Sequence, residues 1–319
     1  MVEYRCAMPG GAEERLTPPG AAAAAGRAAG ERVMWILLTV LLALLLLAAA
    51  AAFLIWPRRG QWQLQELRRF RYAHRGLFNP ERGVPENSIK AFRYAVAGGF
   101  GIELDVRLTG DKRLAVVHDS NLMRLCGRSV RVEETPWEEL RELRLMETEE
   151  RIPLLEEVLR AVRGRVPLII EIKTERNNSR ELCAKVCRLL ERYKGDFCVE
   201  SFDPRALRWL RRNEPFVIRG QLVTGKTEPG RYRKSDPMRF LSRLLPLLLT
   251  NVIARPDFIA CQLEDRKRPA VRLCVEGLKA QEVSWTIRSQ EELEEAERTG
   301  AMVIFEGFLP KGPLPAGKT

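Results

Sequence analysis

Histidine is nearly absent from this chain: there are two in 319 residues, His74 and His118. Cysteine is sparse and badly spaced for metal binding, with seven residues, an odd number, and no close pair of the zinc-ribbon kind. Cys183 and Cys187 stand four apart, as two residues sharing a helix face do, but no histidine lies near them. A Cys/His metal site is thereby excluded. Reduced, mostly buried thiols in a cytoplasmic domain are the simplest account. Residues 1–32 have almost no large apolar side chains, chiefly Val2, Tyr4 and Leu16. Such a segment buries too little to offset the cost of ordering and is predicted to be disordered.

Residues 33–56 lack charge altogether. At about 1.5 Å per residue this apolar run spans a hydrocarbon core of roughly 30 Å. It predicts one transmembrane helix, with Trp35 and Trp56 near its two interfaces. A cleaved signal peptide is the alternative, although its apolar core is usually shorter. A true start at Met34 would make the first 33 residues a mis-assigned start. Arg58, Arg59, Arg68, Arg69 and Arg71 follow the run, against Arg27 and Arg32 before it. The positive-inside tendency therefore predicts a single-pass membrane protein with a cytoplasmic C-terminal part. The formal charge of +11 is carried by arginines spread along the chain. No basic, aromatic-studded block marks a nucleic-acid partner, and attraction to an anionic lipid surface fits better.

Residues 57–70 read as a linker, 71–312 as the main domain and 313–319 as a tail. Within the domain, strand patterns at 71–74, 102–107, 114–118, 167–173, 197–201, 216–223, 257–261, 283–287 and 301–305 alternate with helical ones. The helices fall at 88–96, 137–143, 154–162, 180–193, 205–212, 271–278 and 290–298. Asn87, Ser88, Thr135 and Ser289 are start signals and Gly300 is a stop. Repeated strand-then-helix units predict a parallel sheet. Some eight units predict an α/β fold, a (β/α)8 TIM-type barrel, with an open doubly wound sheet as the alternative.

One strand is surplus. The link from Arg107 to Leu114 is too short for a helical crossover, and Thr109-Gly110-Asp111-Lys112 signals a turn. Residues 114–118 should fold back as a hairpin arm, placing His118 opposite Glu103 to Asp105. The stretch 225–255 departs from the short-loop rhythm and reads as an inserted helical segment after the sixth barrel strand. Its apolar run at 240–249 is expected to pack on the core; an apolar lip over the site or a membrane-facing surface is the alternative.

Residues two apart in a strand share a side, so Glu103 and Asp105 project together, as do Glu171 and Lys173. Charged residues ending apolar strands fit the C-terminal rim of a barrel, where the active sites of this architecture lie. Carboxylates without thiolates suit a hard cation, Mg²⁺ or Ca²⁺. For any one carboxylate an ion pair is the plainer reading, for instance Glu171 with Lys173. Histidines flanking carboxylates suggest proton transfer beside a cation.

The ordered set His74-Arg75-Gly76, Pro85-Glu86-Asn87-Ser88 leading into Ala91-Phe92, Ile102-Glu103-Leu104-Asp105-Val106, Thr109, Val117-His118-Asp119, Glu171-Ile172-Lys173, Ser201-Phe202 and Trp285-Thr286 resembles the glycerophosphodiester phosphodiesterase family. The resemblance covers residues 71–310. Ser88 stands where many members have Thr, and Phe305-Glu306 where many have a Thr-Asp pair. The resemblance implies a barrel fold and hydrolysis of glycerophosphodiesters to glycerol 3-phosphate and an alcohol. It implies one divalent cation on Glu103, Asp105 and Glu171, with Mn²⁺ a further option, His74 and His118 as acid–base pair, and Arg75 and Lys173 on the phosphate.

Asn87 is open between capping the next helix and contacting phosphate or a ligand carboxylate. Glu86 is placed to orient Arg75. Trp285 and Phe202 are open between packing on glycerol and filling the rim. The nucleophile is open between water and the neighbouring glycerol hydroxyl. Rival readings are a phospholipase-D-like or phosphoinositide-cleaving barrel, and a non-catalytic lipid-head-group-binding barrel.

Overall fold

The structure is a computed structural model that describes residues 21–58, 63–175, 177–225 and 244–313, without the side chains at 21–26, 28 and 29. It divides into two units, residues to Ala51 and from Ala52 onward. The described residues of the first unit are helical, in a helix that runs Ala21–Ile55 and whose last turn, Ala52–Ile55, belongs to the second unit. Its segment Gly30–Ile55 has a mean hydropathy of 2.9 and is long and apolar enough to cross a membrane. The disorder expected over residues 1–32 does not extend across 21–32, which are helical. Alanine is the strongest helix former, and extending an existing helix costs far less than starting one. The expectation for residues 1–20 lies outside the described residues.

In the second unit the strands are β1 (Arg71–His74), β2 (Gly101–Leu108), β3 (Leu114–Val116), β4 (Leu168–Ile172), β5 (Phe197–Ser201), β6 (Arg219–Val223), β7 (Phe258–Gln262), β8 (Gln281–Ile287) and β9 (Met302–Phe305). Their order is β1-β9-β8-β7-β6-β5-β4-β2-β3, and an additional β1–β2 pairing closes the sheet. Every neighbour pair is parallel except β2–β3. The result is a closed eight-stranded parallel barrel with β3 as an antiparallel arm on β2.

Alternation along the strands divides the core in two. Tyr72, Ile169, Cys198, Ile218, Leu222, Phe258, Ala260, Val283, Met302 and Ile304 fill the barrel interior. Leu104, Val106, Ile170, Ile172, Val199, Val303 and Phe305 face outward against the surrounding helices. Those helices include Ile89–Ala97, Leu155–Val162, Ser179–Leu190, Pro204–Asn213 and Gln290–Arg298. Large rings inside need small neighbours, and a Cβ added at Gly220 would overlap the Phe258 ring. The segment expected to be a linker contains a short helix, Gln63–Leu67, whose buried Leu67 joins the interior cluster. Tyr72 Oη donates to the Leu67 carbonyl at 2.8 Å.

Ser88 and Ser289 each cap the following helix, accepting from Ala91 N and Glu292 N. The helix expected at 271–278 is instead a turn at Pro269–Arg272 followed by a π-turn at Leu273–Gly277. Of the inserted segment, residues 226–243 lie outside the described residues. Its described end is a 3₁₀ turn at Leu245–Leu247 and a helical turn at Asn251–Ala254, with Leu245 and Leu248 buried. Residues beyond β3 carry a core of their own. Ala115, Val117, Leu122, Leu125, Val132, Trp137, Leu140, Leu145, Ile152 and Leu154 pack together, so the arm is a small packed layer rather than a bare hairpin.

Candidate active site

The same alternation that fills the barrel with apolar groups changes to charge at its C-terminal rim. Tyr72 is followed two residues later by His74, Ile169 by Glu171, and Cys198 by Glu200. Strand register brings these together: His74 pairs with Glu103 across β1–β2, Asp105 with Glu171 across β2–β4, and Glu171 with Glu200 across β4–β5. Ligand oxygens of Glu103, Asp105 and Glu171 all lie within 4.8 Å of one another. Glu103 and Glu171 border a cavity of about 890 Å³ that is also lined by His74, Arg75, His118, Lys173, Glu200 and Trp285.

His74 reaches this rim on β1, and His118 arrives just past β3. Val117 N donates to the Asp105 carbonyl at 3.0 Å, which continues the β2–β3 register. Arg107 Nε donates to the His118 carbonyl at 2.8 Å, tying the arm to β2. Each imidazole is held at Nδ1 by a carboxylate that an arginine holds in turn. His74 Nδ1 lies 2.5 Å from Glu306 Oε2, and Arg288 donates to Glu306 Oε1. His118 Nδ1 lies 2.7 Å from Asp119 Oδ1, and Arg124 Nε donates to Asp119 Oδ2 at 2.7 Å. Burial alone would raise the Glu306 carboxyl, but His74 and Arg288 outweigh it and bring it down to about 2. The Asp119 carboxyl, despite burial, is likewise lowered by His118 and Arg124. Burial and the Lys173 charge lower the His118 pKa, against the pull of Asp105.

Arg75 is the hub on the opposite side. Its backbone N donates to Glu103 Oε2 at 3.0 Å. Its guanidinium donates to Glu86 Oε1 at 2.7 Å and lies 3.3 Å from Asp105 Oδ2. The expected orienting role of Glu86 thus has a direct contact, and Arg124 also donates to both Glu86 oxygens. Arg75 has a positive φ of 55°, and Gly76 follows at 83°. A Cβ on Gly76 would come within 2.9 Å of Ala91 backbone, so the turn out of β1 requires glycine. Asn87 does not cap the next helix; Ser88 does. The Asn87 amide instead donates to Asp105 Oδ2 at 2.8 Å.

Lys173 Nζ lies 2.7 Å from Glu171 Oε2 and 3.1 Å from Asp105 Oδ1. The plain ion pair expected between Glu171 and Lys173 is therefore present, but shared with a second carboxylate. Burial would raise the Asp105 carboxyl, yet Lys173, His118 and Arg75 hold it well below the usual range. Burial and the charges of Asp105, Glu200 and Glu171 push the Glu103 carboxyl well up. Two carboxylates two residues apart on β2 thus titrate in opposite directions, as crowded like charges do. Trp285 and Phe202 meet edge to face at 6.0 Å, forming the aromatic part of the wall.

The structure brings His74, Arg75, Glu103, His118, Glu171, Lys173 and Trp285 to one cavity, with Asp105 beside Glu103 and Glu171 and Asn87 bonded to Asp105. Residues to which sequence reasoning gave no role are Glu200, Arg124, Arg288 and Glu306, the last noted only as a departure from the family's Thr-Asp pair. Glu200 carried the same signal as Glu171, an acid near the end of an apolar strand. Arg124 and Arg288 carried none.

A model of the glycerophosphoryl diester phosphodiesterase family matches residues 74–245. A glycerophosphodiester phosphodiesterase of Caldanaerobacter subterraneus is 29% identical over 252 residues, covering 76% of this chain and 93% of the relative. One of Bacillus altitudinis is 42% identical over 109 residues, which are 32% of this chain and 43% of the relative. The chain thus matches less than half the length of that second relative. Among solved structures, an Oleispira antarctica phosphodiesterase in complex with the product sn-glycerol-3-phosphate shares the fold. It has a TM-score of 0.58 at 20% identity, over 79% of this chain and 93% of that one.

Proposed function

The chain belongs to the glycerophosphoryl diester phosphodiesterase family, and we propose that it hydrolyses glycerophosphodiesters to glycerol 3-phosphate and an alcohol, using one divalent cation. The observation that carries this reading is the convergence of both histidines, three carboxylates, Arg75 and Lys173 on one cavity. The acidic group fits a hard ion: it is all oxygen, it is buried, and one oxygen from each residue lies within 4.8 Å of the others. Glu103, Asp105 and Glu171 would hold Mg²⁺ or Ca²⁺, with Mn²⁺ acceptable to the same donors. When bound, such an ion supplies positive charge to the phosphoryl oxygens.

The chain's own groups do the rest. Arg75 and Lys173, held in place by Glu86, Asp105 and Glu171, turn positive charge toward the diester and offset the charge that builds on its oxygens during attack. With Nδ1 committed to Asp119, Nε2 is the His118 nitrogen left to exchange a proton. Its lowered pKa keeps it neutral near pH 7, which suits the base that deprotonates the nucleophile. His74, held by Glu306, is left to protonate the departing alkoxide. Water and the neighbouring glycerol hydroxyl both suit such a base. Trp285 and Phe202 wall the glycerol end of the cavity. The helix at Gly30–Ile55 would tether the enzyme to a membrane as a single-pass anchor, with the arginines after it placing the barrel in the cytoplasm.

A panel of glycerophosphodiesters assayed with Mg²⁺, Ca²⁺ and Mn²⁺ tests the reading. Turnover should vanish on chelation and return with metal. His74→Ala and His118→Ala should each lose about 10²–10⁴-fold in turnover, with an unchanged circular dichroism spectrum. Cleavage of intact phospholipid but not of deacylated head-group diesters would reject the substrate class. Tight binding without metal-dependent turnover would leave a receptor in place of an enzyme.

A further inference from the structure

We propose that Glu200 is a fourth carboxylate of the cation site and biases it toward Ca²⁺ over Mg²⁺; the inference rests on the cation reading above. Glu200 sits beside Glu171 in strand register and lines the same cavity. It is 2% exposed, and its Oε2 has no hydrogen-bond partner. A buried carboxylate oxygen with nothing to bond is costly unless a charge outside the protein's own set compensates it.

Glu200 is not one of the three residues whose oxygens lie within 4.8 Å of one another. It adds its donor from the flank. That matters differently to the two ions. Ca²⁺ accepts six to eight oxygens in loose geometry, whereas Mg²⁺ demands a tight octahedron and keeps several waters. An additional flanking carboxylate therefore favours the larger ion.

The test is calorimetric titration of the metal-stripped full-length protein in detergent with CaCl₂ and with MgCl₂, for wild type, Glu200→Gln and Glu171→Gln. Glu200→Gln should weaken Ca²⁺ binding by about tenfold or more, the scale of a lost metal-supporting contact, and Mg²⁺ binding by a clearly smaller factor. The metal-free variant should melt no lower than wild type, because a neutral amide replaces a buried acid. An unchanged Ca²⁺ affinity, or equal losses for both ions, overturns the proposal. Should Glu200→Gln fail to fold, Glu200→Asp keeps the charge but shortens the reach, and must show the same ordering of losses. Glu171→Gln separates the two levels. If it binds Ca²⁺ as wild type does, the cation site itself is misplaced. If it loses binding while the Glu200 variants keep theirs, only the role of Glu200 falls.

Discussion

His74 and His118 lie on different elements, yet each is fixed the same way: imidazole Nδ1 to carboxylate, carboxylate to arginine. A carboxylate so placed sets the ring's tautomer and its angle, and removing the analogous group from other catalytic histidines costs up to about 10⁴ in rate. Glu306→Gln should therefore lower turnover by on the order of 10²–10⁴ while leaving the fold in place. The same variant has a pH signature. The Glu306 carboxyl is brought from an ordinary 4.5 down to about 2. A depressed carboxyl stabilises the native state above its unfolded value, and that contribution is lost as pH falls through the folded one. Melting temperatures of wild type and Glu306→Gln should differ most near neutrality and converge as pH drops from 4.5 toward 2. A gap that is constant with pH would mean the carboxylate is not charged in the native state. At this scale the sequence was informative where the chemistry is local, as in the alternation of Glu103 with Asp105. It gave Glu306 no role, because its partner His74 is 232 residues away and meets it only when β9 closes against β1.

The arm that carries His118 is the element on which the site most depends. Its position follows from a turn at Gly110 and Asp111 and from the antiparallel register on β2, both legible from residue order. Its private core was not legible. Residues 119–154 form turns of three or four residues, too short for any 3.6-residue period to emerge. Leu122, Trp137 and Leu145 therefore looked like scattered apolar residues rather than one cluster. The π-turn at Leu273–Gly277 escaped for the opposite reason, since its apolar spacing is close to helical. Because the arm's cluster is distinct from the two that build the barrel, it should loosen on its own. Leu122 is fully buried within it, and Leu122→Ala should cost about 2–5 kcal/mol of local stability. Hydrogen exchange should rise across residues 114–154 while β4 to β9 stay protected, and turnover should fall as His118 loses its place. Uniform deprotection of the whole barrel would show instead that arm and barrel unfold together.

At the scale of the whole molecule, the boundary between the long apolar helix and the barrel unit does not fall where the apolar run ends. The last turn, Ala52–Ile55, belongs with the barrel unit. Ile55 is 4% exposed and packs with Val223, Ile259, Val271 and Cys274. Asn251 donates to its carbonyl at 3.0 Å, and Arg255 donates to the carbonyls of Phe53 and Trp56 at 2.8 and 2.9 Å. Arg58 lies 3.6 Å from the buried carboxylate of Asp257. Two truncations therefore separate anchoring from folding. A chain beginning at Ala52 keeps all of these contacts. It should leave the membrane fraction, retain the melting temperature of the full-length protein, and turn over a water-soluble diester at the same rate. A chain beginning after Arg58 loses the burial of Ile55, about 1.5–3 kcal/mol. It also leaves Asn251 and Asp257 short of partners at about 1–3 kcal/mol each. Domains of this size lose roughly 2–4 °C per kcal/mol, so its melting temperature should fall by about 10 °C or more. If both truncations melt together, residues 52–58 contribute nothing to the barrel; if the chain beginning at Ala52 is inactive on a soluble diester, the membrane helix does more than tether.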